Sequence, residues 1–115
     1  MRSLTIGIAA TALAAGAALA HHGWGTYDPA KLVVLEGPVL VSKYEFPHGE
    51  IVLESQGKRW QVILAPPSRM TSRGMNAADI AVGKRVKAEG YPSKVVDNEI
   101  RAERVTVDGR VVEMR

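Results

Sequence analysis

From Leu32 onward, apolar and polar residues alternate in short runs separated by turn signals, which is the pattern of half-buried strands. Val and Leu enrich Leu32 to Tyr44, and the interruption at Gly37-Pro38 predicts a long first strand with a bend or an edge position there. Pro47-His48-Gly49 makes a turn. Ile51 and Leu53 then share one face of a second strand, and Gln56-Gly57 loops into a third, where Trp60, Val62 and Leu64 alternate with Arg59, Gln61 and Ile63. The pattern breaks between Ala65 and Gly74. Pro66-Pro67 can open a helix, the residues around Met70 can continue it for about two turns, and Gly74 stops it. Period two returns in Lys84 to Tyr91, with Val86, Ala88 and Gly90 on one face and Arg85, Lys87 and Glu89 on the other. After a loop at Pro92 to Asn98, Ile100 and Ala102 set one parity and Val105 and Val107 the opposite one. A slip of one residue turns every side chain over, so a β-bulge near Glu103-Arg104 is expected. Asp108-Gly109 is a hairpin signal leading into Val111 to Met114.

Three strands, a short helix and two or three further strands in fewer than about a hundred residues define an all-β fold class. The expected form is a small OB-like five- to six-stranded Greek-key barrel with one short helix between the third and fourth strands. A small sandwich is the alternative, and the helix placement favours the barrel.

The chain ahead of the strands reads differently. Leu4 to Ala20 is an uncharged run of small and apolar residues behind Arg2, and Ala18 and Ala20 form a small-x-small cleavage signature. The run is short for a membrane span and lacks a basic flank on its far side. The expected organisation is a signal peptide at 1–20, an N-terminal arm at 21–31 and the barrel at 32–115, with the mature protein periplasmic or secreted and without a stable membrane anchor. Removing residues 1–20 from the 115 leaves 95, one small domain. The leader takes one basic residue with it, leaving 14 against 12 acidic residues, too mild a balance to argue for nucleic acid. With 0 cysteines there is no disulfide framework, thiol nucleophile or lipidated cysteine.

Several elements stand in order along the chain: Ala20-His21-His22 followed by Trp24, Asp28, Leu35-x-Gly37-x-Val39, Pro47-His48, Trp60, Arg73-Gly74, Val82-Gly83-x-x-Val86, and Val105-Thr106-Val107-Asp108-Gly109-Arg110. In these the chain resembles a family of small exported bacterial proteins, domain of unknown function 6152. It departs from that pattern at Tyr44 and Phe46, where the family tends to have Trp and Asn, and at Met75, where it has an aromatic. The resemblance implies export and a β-rich fold, and supplies no mechanism.

The sharpest chemistry lies at the junction of leader and arm. Cleavage after Ala20 would place a free α-amino group beside the imidazoles of His21 and His22. The amine and Nδ1 of the same residue can chelate one ion, and His22 or His48 can complete a nitrogen-rich site of the kind that favours Cu(II). The reference pKa values, about 7.7–8.0 for the amine and about 6.5 for histidine, leave both available near neutral pH. The arrangement is similar to the histidine brace of copper monooxygenases in its terminal chemistry alone. Whether His48 can join depends on reach: an extended arm spans about 35 Å, against a first strand of about 40 Å. The plainer readings are a solvated terminus and a His48 that bonds within its own turn. Met70, Met75 and Met114 read as core rather than as soft ligands, and Trp24 reads as an anchor for the arm.

The remaining candidates are weaker. Lys58, Arg59, Lys84, Arg85 and Lys87 are interleaved with Glu54, Glu89, Glu99 and Glu103, which describes an ordinary charged strand face rather than a nucleic-acid groove. No catalytic order, Gly-rich phosphate loop or carboxylate pair appears, so no enzyme activity is expected. The functional expectation is therefore an exported binding protein, with copper held by His21, His22 and His48. The alternative is a module that uses the barrel face to bind a small ligand or an envelope partner without metal.

Overall fold

The computed structural model describes residues 23–115, and its first strand serves two neighbours in turn. Strand β1 (Val33–Lys43) pairs through Val33–Pro38 with β4 (Arg85–Pro92) and then through Val39–Lys43 with β2 (Glu50–Ser55), both antiparallel. The changeover falls at Gly37-Pro38, where the sequence predicts a bend, and an irregularity in the β1–β2 register follows between Val39 and Val41. Only glycine fits the crossover: a Cβ on Gly37 would lie 1.8 Å from the carbonyl oxygen of Glu54.

Strand β2 turns through Gln56-Gly57 into β3 (Lys58–Ile63), and β4 leads through 93–98 to β5 (Glu99–Val107). A parallel pairing of Gln61, Val62 and Ile63 with Glu99, Ile100 and Arg101 closes the ring. The barrel thus runs β1-β2-β3-β5-β4 and back to β1, with α1 (Pro67–Ser72) between the third and fourth strands. This is the expected OB-like barrel, and the closure excludes a sandwich. A 3-10 turn at Ala77–Ile80, which the apolar pattern does not signal, follows α1; Asn76 and Asp79 close it with a reciprocal capping box.

The bulge lies where the parity change placed it. Glu89 and Gly90 are adjacent on β4 but face Arg104 and Ala102, so Glu103 is the extra residue on β5. Ile100, Ala102, Val105 and Val107 consequently all point inward, joining Leu35, Val39, Ile51, Leu53, Val62 and Val86 in one core. Met70, Met75 and Met114 are buried in it, as their spacing suggested, and Trp60 packs partly buried against it. Asp108-Gly109, both at positive φ, turns β5 into β6 (Arg110–Glu113), the strand outside the ring. Helix α1 covers that edge: Arg73 donates to the Glu113 carbonyl at 2.7 Å and Arg69 to the Met114 carbonyl at 3.1 Å, blunting a surface that could pair with another chain.

The crossover makes a direct prediction. Gly37→Ala should cost more than about 3 kcal/mol in denaturant unfolding, because backbone must move to admit the methyl group. Gly25→Ala, whose Cβ meets nothing within 4 Å, should stay within about 0.5 kcal/mol of the parent.

Candidate functional site

The barrel's outer surface carries a row of paired positions, Lys43 opposite Glu50, Glu50 opposite Ile63, Ile63 opposite Arg101 and Arg101 opposite Tyr91. Residues paired across strands project from the same face. One end of the row lies beside the β1–β2 turn that holds His48, and the arm covers the other end. Tyr27 bridges Ser93, the Asp28 amide donates to the Pro92 carbonyl at 2.9 Å, and the Lys94 amide donates to the Thr26 carbonyl at 2.8 Å. Under this short ladder the Tyr27 hydroxyl donates to Glu99 Oε2 at 2.7 Å. Glu99 is 2% exposed. Its outward parity was legible, but it does not belong to a solvated charged face as the sequence suggested, because the arm lies on top of it.

Burial, followed by the hydrogen bond to Glu99 and that carboxylate's charge, pushes the Tyr27 phenol well above its ordinary range. Arg101 is displaced the other way: burial first, and then the charges of Arg115 and Arg69, hold its guanidinium below its usual value against an opposing contribution from Tyr27. The guanidinium carbons of Arg101 and Arg115 each lie 4.3 Å from the Trp24 ring centroid. Tyr27 and Tyr91 meet the same indole edge to face, at 6.3 and 6.2 Å. Trp24 is thus the anchor it was expected to be, fixed from four sides at the head of the arm.

His48 is half-buried, and its Nδ1 lies 3.1 Å from the carbonyl oxygen of Gly49. A carbonyl only accepts, so Nδ1 carries the proton in this contact. The acceptor is itself held: Leu64 donates to the Gly49 carbonyl and Gly49 to the Ala65 carbonyl, both at 2.9 Å. Metal-ligating histidines are commonly oriented through their other nitrogen in this manner. His21 and His22 lie outside the described residues. Among the described residues no group of three or more His, Cys, Asp or Glu side chains is placed to hold a metal.

Below this row, Val41, Val52 and Gln61 form the next one. They line a groove of about 420 Å3 with Lys43, Glu50, Arg59, Asp97 and Asn98, the last two from the β4–β5 loop. None of its four charged residues is in an ion pair among the described residues, whereas Lys84 pairs with Asp108 at 2.8 Å and Arg85 with Glu36 at 3.7 Å. Of the basic positions read from the sequence, Lys84 and Arg85 are thus taken up in separate ion pairs. Phe46, at the tip of the β1–β2 turn, is 87% exposed.

These features define a small OB-like barrel with a docked N-terminal arm and an outer-face groove. A family model, "Family of unknown function (DUF6152)", matches residues 9–102, and the chain belongs to that family. No curated protein matches it. Among solved structures it is similar to the ZRD-deleted mutant of TiaS in complex with agmatine, with a TM-score of 0.55 and 14% identity over 76% of this chain and 27% of the other. It is also similar to TiaS in its complex with a transfer RNA and ATP, with a TM-score of 0.53 and 14% identity over 77% of this chain and 20% of the other. The chain thus corresponds to about a quarter or less of those chains, and at this identity the likeness is one of fold alone.

Tyr27→Phe removes the partner of a buried carboxylate and should cost about 1.5–3 kcal/mol in chemical denaturation at neutral pH. The folded state holds the phenolic proton more tightly than the unfolded chain, whose tyrosine ionises near about 10. Its contribution is therefore complete below that pH and lost as pH rises toward the folded value. Stability of the parent should fall along an alkaline limb that Tyr27→Phe flattens; an unchanged limb in the variant would contradict this assignment.

Proposed function

We propose that the protein is an exported envelope binding protein that loses residues 1–20 and binds copper through the new amino terminus, His21, His22 and His48. The observation that carries this reading is the docking of Trp24 on Arg101, on the row that ends beside the His48 turn. Arg101 and Glu50 are two strand spacings apart, about 10 Å, and two residues of extended chain add about 7 Å of reach. The arm runs along the β4–β5 connection rather than down the first strand, which shortens the distance that the chain ahead of Trp24 has to cover to reach His48. The contact that holds the His48 ring through Nδ1 supports the same reading, since metal-ligating histidines are commonly oriented in this way.

The donor chemistry points to Cu(II). An amine and imidazoles are nitrogen ligands, and the three thioethers that would favour Cu(I) are enclosed in the core. Coordination would take up the terminal amine and neutral imidazoles, so protons compete with the metal and binding weakens in acid.

A second reading rests on the groove. Its valine floor and unpaired charges suit a small polar ligand or a partner's side chain, bound without metal by the barrel face. Glu50 and Asp97 within the groove argue against a nucleic-acid backbone.

Mass spectrometry of the exported protein should give a chain beginning at His21. Titration with Cu(II), followed by electron paramagnetic resonance, should then show a submicromolar site with nitrogen couplings, weakened at least tenfold by His48→Ala. A retained leader, or an affinity indifferent to His48→Ala, would overturn the copper reading and leave the groove.

A further inference from the structure

We propose that the cleft between the arm and the end of β4 is a binding site for a small organic carboxylate, an anion carried on an apolar ring. The cleft encloses about 360 Å3 and is lined by Trp24, Gly25, Tyr27, Pro29, Tyr91, Lys94 and Arg115. It is a different place from the outer-face groove, and its occupation does not require a bound metal.

The lining has a one-sided chemistry. It contains two cations and no acidic side chain. Lys94 makes no ion pair among the described residues, and its backbone is fixed to the arm through the Thr26 carbonyl. Tyr27 already donates its hydroxyl to Glu99, but the Tyr91 hydroxyl and the Trp24 indole N–H have no hydrogen-bond partner among the described residues. Such a cleft offers donors and positive charge, and asks for an acceptor. Its walls, formed by Pro29, Tyr91 and the edge of Trp24, are apolar, which favours a ring-bearing body over a bare inorganic ion.

Positive charge behind the cleft points the same way. Arg115 and Arg101 converge on one indole, and Arg69 adds to the repulsion that Arg101 feels. Glu103 lies 3.5 Å from Arg115, and its Oε2 is buried without a hydrogen-bond partner among the described residues. A carboxylate seated between Lys94 and Arg115 lowers the mutual repulsion of the arginines, so bound anion and docked arm reinforce one another.

The test uses metal-free protein and three probes: benzoate, its neutral isostere benzamide, and inorganic phosphate. Proton–nitrogen spectra resolve the indole signals of Trp24 and Trp60, and the expected result is that benzoate shifts Trp24 and not Trp60. Benzamide should bind at least tenfold more weakly than benzoate, phosphate should be weaker as well, and Lys94→Gln, a substitution at an exposed side chain, should weaken benzoate at least fivefold. His48→Ala should leave benzoate binding unchanged, which keeps this outcome separate from that of the copper titration. Equal binding of benzoate and benzamide, phosphate as tight as benzoate, or indifference to Lys94→Gln would each overturn the proposal.

Discussion

Tyr27 and Glu99 stand 72 residues apart in sequence and meet in a single buried hydrogen bond. A carboxylate in a dry environment is costly unless something donates to it, and a tyrosine brought from outside the barrel is an unusual solution. The donor belongs to the arm and the acceptor to the first residue of β5, where the parallel pairing with β3 closes the ring. The same contact therefore ties three things together: the position of the arm, the start of the closing strand and the burial of a charge. Neither residue can stay buried in good order without the other.

From that tie the geometry of the candidate sites follows. Because β5 begins level with the end of β3, an arm docked on β5 is also level with the start of β2 and the turn that carries His48. Trp24, fixed by two guanidiniums and two phenol rings, sets where the preceding chain must emerge. The closed barrel gives a rigid base on which an irregular segment of about ten residues can deliver its chemistry. The arm also creates a cleft that no strand forms by itself, with the outer-face groove elsewhere on the barrel.

Much of the barrel was legible because its signals are local. Gly37-Pro38 marked the strand crossover, the change of parity between Ala102 and Val105 located the extra residue at Glu103, and Asp108-Gly109 fixed the last hairpin. Each of these is a statement about which way neighbouring side chains point, and period-two patterns record that well. What they do not record is which outward residues a non-strand segment will later cover. Glu99 therefore read as one more solvated acid, and the stacking of Arg101 and Arg115 on Trp24 left no trace in spacing or composition. The β3–β5 closure was equally hidden, since two residues about forty positions apart carry no sign of their pairing. Tyr27 gave the one available hint, as an aromatic in a stretch otherwise loosened by glycine. The histidines were singled out by their chemistry and, for His21 and His22, by their place after an apolar run, while the orientation of the His48 ring depends on a carbonyl that the segment after β3 holds in place.

The central claim is that the arm is docked on the barrel as an integral part of the fold, and amide hydrogen exchange reads this most directly. The amides of Asp28 and Lys94 are bonded to Pro92 and Thr26 across the arm, so their protection reports on its docking. The account predicts that both exchange as slowly as the β4 and β5 amides beside them, and that both accelerate together in Tyr27→Phe. Exchange of Asp28 and Lys94 at the rates of an open loop, with the barrel amides still protected, would contradict it.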